Sequence, residues 1–502
     1  MNRFFRYIYY NGGPSFFVRP SGSTYGIGDG SSYDNAWAGD TDIEWAEIPS
    51  GGKLYIAGTW VEALNVVNSN VTIESYSDDP CTIDCNDSIN SGIVITDKTN
   101  VTLIGLTVID AVVSGIHWEN SIGTATNCTT TGSGNQGVQH IGTCQVTYNN
   151  LTSSDNIDDG ISVHDSGIIV VNGGTFSGNA ENINIIATAH VTINDSPTFA
   201  GTSTYDLYVT NATTDDSAVI TMNGGTVRNI NADIGGRIVL NGVTVSGTTA
   251  LSAGSGAGSI EATDSIFTGS VTVSTGGTFT ATNCYINLWG GTPSGNINLN
   301  KCHVTDDVSL LSTCQFIAEN TLFDLSGTAG AGVDVNTGCL GQFKYCTFKN
   351  MGSTQFGVSI RSGASSSSYV NNCNFIGAAN AGRGLFTQID FTSNNNIYYD
   401  LAIGYFRSAG TSIINNSCFF DCTTPKSGTV TSNNEVTGDP VLADVANNDF
   451  TLGGGSSCIG TGVDLGDTYD GGIESAEWGD SDTVPVVTTG VQAVSWNIGS
   501  YI

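Results

Sequence analysis

The stretch NIDDGISVHDSG, Asn156 to Gly167, sets Asp158, Asp159 and Asp165 beside Ser162 and His164. Carboxyls and imidazoles this dense could do acid–base work, because imidazole titrates near neutrality and a placed carboxyl can give or take a proton. Cleavage of a glycosidic bond is the chemistry that suits them. It needs two carboxyls about 5–5.5 Å apart for retention, or about 6.5–9.5 Å for inversion. An Asp-Asp-Gly is equally the ordinary chemistry of a turn. The partners of the stretch decide between the two.

Those partners lie at a fixed spacing. Gly115 in SGIHWENS, Gly137 in QGVQHIGT, Gly160 in DGISVHDS and Asn182 in ENINIIAT follow one another about 22 residues apart. Strand alternation sends Ile116, Trp118, Val138, His140, Ile161, Val163, Ile183 and Ile185 inward. It sends His117, Glu119, Gln139, Ser162, His164 and Asn184 to the outer face, with Asp158, Asp159 and Glu181 along its edge. The expected catalytic set is therefore Asp159, Glu181, His164, His117, Glu119 and Asp158. Gln139, Ser162 and Asn184 are the expected substrate contacts, with Ser162 and His164 exposed. Asp159 and Glu181 hold matching positions one repeat apart, which suits a carboxyl pair. His140 falls on an inward column and reads as a core histidine. No metal ligand set or cofactor is assigned, although stacked acids could hold a structural Ca²⁺.

A second candidate lies further on, where the repeats lengthen and loops protrude. Lys344, Lys349, Arg361, Arg383 and Arg407 stand there, out of 14 basic residues in all, near Phe386, Tyr398, Tyr399, Tyr405 and Phe406. Aromatic faces with arginines can stack on and hydrogen-bond a sugar, so Arg361, Arg383, Arg407 and Tyr405 are further candidate substrate contacts. The same aromatics could instead pack the loops down.

The elements that position these residues are strands. The chain has 65 Gly, 9 Pro and 12% charged residues, with Asn, Thr and Ser at its polar positions. β-Branched residues fit pleated surfaces and Gly, Asn, Asp and Ser make tight turns. The formal charge of −32 repels phosphate backbones and anionic lipid, so neither nucleic-acid binding nor membrane insertion is expected. The opening MNRFFRYIYYNGGPSFF is broken by Arg3, Arg6 and Asn11 and does not read as a signal peptide. The 13 cysteines are odd in number, and several recur at one repeat position: Cys128, Cys284, Cys302, Cys346 and Cys373. They read as small buried hydrophobes, suited to folding in a reducing cytosol.

One phrase returns throughout: apolar residues at i and i+2, then Asn or Asp with Gly, then a small residue and a β-branched or aromatic one. Its first apolar residues form a column of Val146, Ile169, Val191, Ile220, Ile238, Ile260, Phe279, Ile297, Phe316, Phe343 and Val370. Period-2 alternation inside a drifting period near 22 predicts an all-β parallel β-solenoid of about 16 coils with caps at both ends. The expected parts are an N-terminal adaptor and cap over residues 1–50, coils over 51–440, and a capping segment over 441–502. Asn and Thr recurring at one position should form ladders.

Over roughly residues 50 to 440 these coils resemble right-handed parallel β-helix proteins of the pectate-lyase-like superfamily. The opening FFVRPSGSTYGIGDGSSYDNAWAG and the closing GDPVLADVANNDFTLGGGSSCIGTG are similar to the ends of such proteins. The resemblance implies a tailspike-like virion protein that binds, and can hydrolyse, host surface polysaccharide. Such a spike is a homotrimer docked to other tail proteins through its N-terminus, folded in the host cytoplasm and released by lysis. A free extracellular glycoside hydrolase or polysaccharide lyase, or a non-enzymatic adhesin, are the other functions this superfamily implies. β-Helix pectate lyases lean on Arg or Lys with Ca²⁺, yet no Lys or Arg stands between Lys98 and Arg228. Hydrolysis is therefore favoured over elimination.

Overall fold

The structure is a computed structural model that describes residues 14–210, 217–251, 258–289, 293–311, 313–326, 332–466, 471–492 and 495–502. The aromatic and basic residues expected to form an adaptor fall mostly in 1–13, outside the described residues. Among those described, the chain is all-β, with short 3-10 turns, and winds a parallel β-solenoid of about 18 turns against the expected 16. Two compact units divide it, Met1–Val239 and Leu240–Ile502.

In the first unit each complete coil has three strands. One runs Gln145–Asn149, Thr152–Ser154, Asp159–Val163; the next runs Ile168–Asn172, Thr175–Ser177, Glu181–Ile186. Asn150 and Asp155 make the bends between strands with φ of 56° and 54°. Asn and Asp tolerate this left-handed conformation better than other non-glycine residues, which is why they recur there. The strands stack in register, Val146 on Ile169 on Val191 on Ile220, as the repeat predicts. Outside this column runs an amide ladder: Asn172 donates to Asn149 at 2.9 Å, Asn194 to Asn172 at 3.1 Å, and Asn223 to Asn194 at 2.9 Å.

The second unit repeats the logic with different interior side chains. Ile260, Phe279, Ile297 and Phe316 stack in register, but the partner of Phe316 is Gly341, not Phe343. Phe343 opposes Ala318 instead, two residues along. A slip of two keeps every side chain on its face, so alternation cannot reveal it. A parallel aromatic column fills the interior: Phe323, Phe348, Phe375, Tyr398 and Phe419, with successive centroids 4.7, 5.1, 5.2 and 4.6 Å apart.

The closing segment forms two antiparallel pairs, Leu442–Asp444 with Asp449–Leu452 and Gly471–Glu477 with Val486–Val491. It lies along the flank of the coils. Phe450, Ile473, Trp478, Val487 and Tyr501 pack on Leu322 and Ile376, and Cys458 and Ile498 pack on Ile397 and Cys418. In this unit the outer face of the strand row Leu322, Thr347, Asn374, Ile397 is thereby covered.

Candidate functional site

The corresponding strand row of the first unit is where the sequence placed its site. His117, Gln139, Ser162, Asn184, Tyr208 and Asn231 are successive register partners across six coils. The inward set is buried throughout, from Ile116 and Trp118 to Ile183 and Ile185. His140 is a core histidine: its Nε2 meets Tyr148 Oη at 2.8 Å and its Nδ1 meets Ser162 O at 3.1 Å. Burial pushes its pKa down to about 3, so the ring stays neutral.

Asp159 and Glu181 pair in register, and Glu181 in turn pairs with Tyr205. Single carboxylate oxygens of Asp158, Asp159 and Glu181 all lie within 4.8 Å of one another. Gln136 Nε2 donates to Asp158 Oδ2 at 3.4 Å, and Asn184 Nδ2 donates to both Asp159 oxygens at 3.2 and 3.3 Å. Burial, with Asp158 and Glu181 as neighbouring charges, pushes the Asp159 carboxyl up to about 7 against the help of Ser162 and Asn184. Glu181 is half-buried, and burial raises its pKa above the ordinary value, with the Asp158 charge raising it further. Like charges this close do not all ionise at once.

Two expectations need correction. Asp159 is 1% exposed, so it cannot itself meet a polysaccharide and cannot be the second carboxyl at a scissile bond. Ser162 is 0% exposed, although it belongs to the outer row, because its neighbours on that row close over it. Its Oγ lies 3.2 Å from His164 Nε2 and also hydrogen-bonds Asp159. The order carboxyl, hydroxyl, imidazole differs from a nucleophilic triad, in which the carboxylate orients the imidazole. His164 is half-buried and Asp158 is solvent-accessible. On the preceding coils His117 Nδ1 meets Gln139 Oε1 at 3.0 Å, and Glu119 Oε2 stands 3.9 Å from His117 Nε2. His117 and Gln139 also line a groove of about 440 Å³ with Ser91, Val94 and Val113.

In the second candidate region the expected Tyr405 contact is the one the structure overturns. Tyr405 is 0% exposed, with its hydroxyl 3.0 Å from Thr387 Oγ1, so it cannot stack on a ligand. Tyr398 belongs to the aromatic column. Arg361 forks onto Asp334 at 2.7 and 3.1 Å, Arg383 lies 5.2 Å over the Phe356 ring, and Arg407 donates to Thr429 O at 2.8 Å. Arg361 and Arg383 tie neighbouring coils together, and all three arginines stay half-exposed.

Tyr205 and Tyr208 lie outside the expected set, yet their rings stack 5.4 Å apart at 19° in register with Glu181 and Asn184. The sequence does carry a signal for them. TYDLYV continues the spacing of ENINIIAT by one coil, with Asp206 at the position that Gly160 and Asn182 hold. Asp206 is buried, accepts from Asn182 at 2.8 Å and pairs with Arg228 at 2.7 Å, so the first cation beyond this cationless stretch is spent on structure.

No family model matches the chain, and no curated protein matches it. Among solved structures it is similar to pectate lyase Pel9A, at 12% identity and TM-score 0.28, over 97% of this chain and 96% of that one. It is also similar to XylC in complex with xylose, at 8% identity and TM-score 0.30, over 97% and 98%. A third is the hyper-glycosylated TibA fragment, at 14% identity and TM-score 0.20, over 71% and 95%. At those identities and scores none of them bears on what this chain does. The architecture rests on the chain's own coils, and they make a parallel β-helix.

Proposed function

We propose that the protein is a polysaccharide-binding β-helix of the tailspike kind, whose first unit grips neutral glycan along the row from His117 to Tyr208 and hydrolyses it. The observation that carries this reading is a pair of reachable carboxyls, Asp158 and Glu181, with oxygens within 4.8 Å, beside the stacked rings of Tyr205 and Tyr208. Oxygens that close fall short of the about 6.5–9.5 Å that inversion needs for its water, so retention is the outcome this pair suits. Glu181, with its raised pKa, gives its proton to the glycosidic oxygen while Asp158 attacks the anomeric carbon. Glu181 then takes a proton from the water that releases the glycosyl group from Asp158. Asp159 is the positioning residue beneath: protonated, it hydrogen-bonds Glu181 from the buried side. The lack of Lys or Arg between Lys98 and Arg228 favours a neutral chain over a uronate polymer.

Release of reducing ends from a panel of neutral surface polysaccharides, with Glu181→Gln as control, tests hydrolysis. Binding has its own expected result. Tyr208→Ala weakens glycan affinity about tenfold, the equivalent of about 1.4 kcal/mol, as measured by calorimetry. Unaltered affinity removes the tyrosines from the site. The virion assignment predicts an SDS-resistant homotrimer in sedimentation, carried on the particle through the N-terminus; a monomer supports a free extracellular enzyme instead. Binding without cleavage supports an adhesin.

A second reading has its own observation. Gln136 Oε1 and Asn184 Oδ1, beside the three acids, are buried without a hydrogen-bond partner. Carboxylates with amide oxygens form the donor set of Ca²⁺, a hard cation taking six to eight oxygens. If Ca²⁺ binds, it raises the melting temperature at pH 7.5 and the rise vanishes in Glu181→Gln. No rise in the unaltered protein excludes this reading.

A further inference from the structure

The described cysteines carry no disulfide, yet their sulfurs are not alike. Cys284 neighbours Cys302, Cys346 neighbours Cys373 and Cys418 neighbours Cys458, and the first four each also donate to the carbonyl two residues earlier, at 3.2–3.4 Å. Cys314 has turned instead to Cys339, Sγ to Sγ 2.7 Å, inside ordinary sulfur contact. The two residues precede strands Gln315–Glu319 and Leu340–Lys344, whose register pairs Gln315 with Leu340. Leu340 N donates to Cys314 O at 2.8 Å, which fixes the two backbones side by side. Parallel neighbours about 4.8 Å apart lie within the Cα separation of about 4.4–6.8 Å that a disulfide spans.

We infer that Cys314 and Cys339 form an intrachain disulfide when the protein meets an oxidising low-molecular disulfide such as oxidised glutathione. Cys339 is the attacking thiol, because the hydrogen bond from Cys314 lowers its pKa while that of Cys314 is raised. Its thiolate attacks one glutathione sulfur, forms a mixed disulfide and releases the other glutathione as a thiol. Cys314 loses its proton and attacks the Cys339 sulfur, so the second glutathione leaves. Both protein protons end on the two glutathiones, and the two electrons taken from the protein thiols reduce the reagent's sulfur bond. Cys314 is 2% and Cys339 0% exposed, so exchange waits for local opening and the finished bond is shielded. The bond staples two neighbouring coils of the second unit, restricting the unfolded chain more than the folded one.

The test oxidises the reduced, full-length protein in a glutathione redox buffer, then digests it without reductant for mass spectrometry. The expected product is one linked peptide pair holding Cys314 and Cys339, lacking two hydrogens. The melting temperature should rise by about 5–10 °C. Cys314→Ser and Cys339→Ser should each abolish both changes. Thiols that all remain alkylatable after oxidation, or a link through any other cysteine, overturn the proposal. So does an equal thermal gain in Cys314→Ser.

Discussion

Glu181→Gln is expected to lower the proposed glycan cleavage by a hundredfold or more and to leave glycan affinity within about twofold, the range expected when general acid catalysis is removed. Gln has the size of Glu and keeps a carbonyl oxygen for the bond from protonated Asp159, so the row keeps its shape. It carries no transferable proton. The loss should therefore fall on kcat and not on KM. The pH profile is a second readout. Because the pKa of Glu181 is raised, its acid form persists above the ordinary Glu range, and the rate should fall as pH rises past that raised value. A cleavage rate unaffected by Glu181→Gln removes this carboxyl from the mechanism. Asp158→Asn should act on the same step by removing the nucleophile.

Asp159→Asn is expected to make the protein more stable at pH 8 and to leave its stability at pH 4 nearly unchanged. The Asp159 carboxyl titrates near 7 in the fold and at 3.8 when free, so the folded chain holds its proton longer than the unfolded chain does. The stability this proton represents is complete below about pH 4 and is lost as pH climbs through about 7. A tenfold difference in proton affinity between the two states is worth about 1.4 kcal/mol, so a shift from 3.8 to about 7 makes the loss at pH 8 on the order of 4 kcal/mol. Asn cannot ionise and escapes it. Thermal unfolding of both proteins at pH 4 and pH 8 reads the difference. Equal slopes against pH would show that Asp159 ionises in the fold as freely as in water. The sign also separates the two readings of the site: bound Ca²⁺ favours the carboxylate, so with calcium present Asp159→Asn destabilises at pH 8 instead.

Much of this is legible in the sequence. A period near 22 with alternation of two specifies parallel stacked strands, and equal spacing specifies which residues become neighbours. Spacing alone places His117, Gln139, Ser162 and Asn184 on one row, and Asp159 opposite Glu181. Tyr205 and Tyr208 are harder to see, because the anchor of their coil is Asp206 where earlier coils carry Gly or Asn.

Other features leave no trace in the spacing. The slip that puts Gly341 opposite Phe316 moves the register by two and leaves polarity unaltered. The burial of Tyr405, and the use of Arg361 on Asp334, depend on side chains about one coil away, whose packing no alternation encodes.

The chain's own pattern thus determined face and neighbour: which side chains point in, which point out, and which stack. These follow from backbone geometry, two residues per pleat and one coil per repeat. Tertiary structure alone decided access. Ser162 sits on the outer row of the coil NIDDGISVHDSG and Asp159 at its edge, yet both are buried while Asp158 and Glu181 stay accessible. In the second unit the closing segment packs on the corresponding strands at Leu322, Ile376, Ile397 and Cys418. Access is a sum over contacts from residues distant in sequence, so no local spacing can state it.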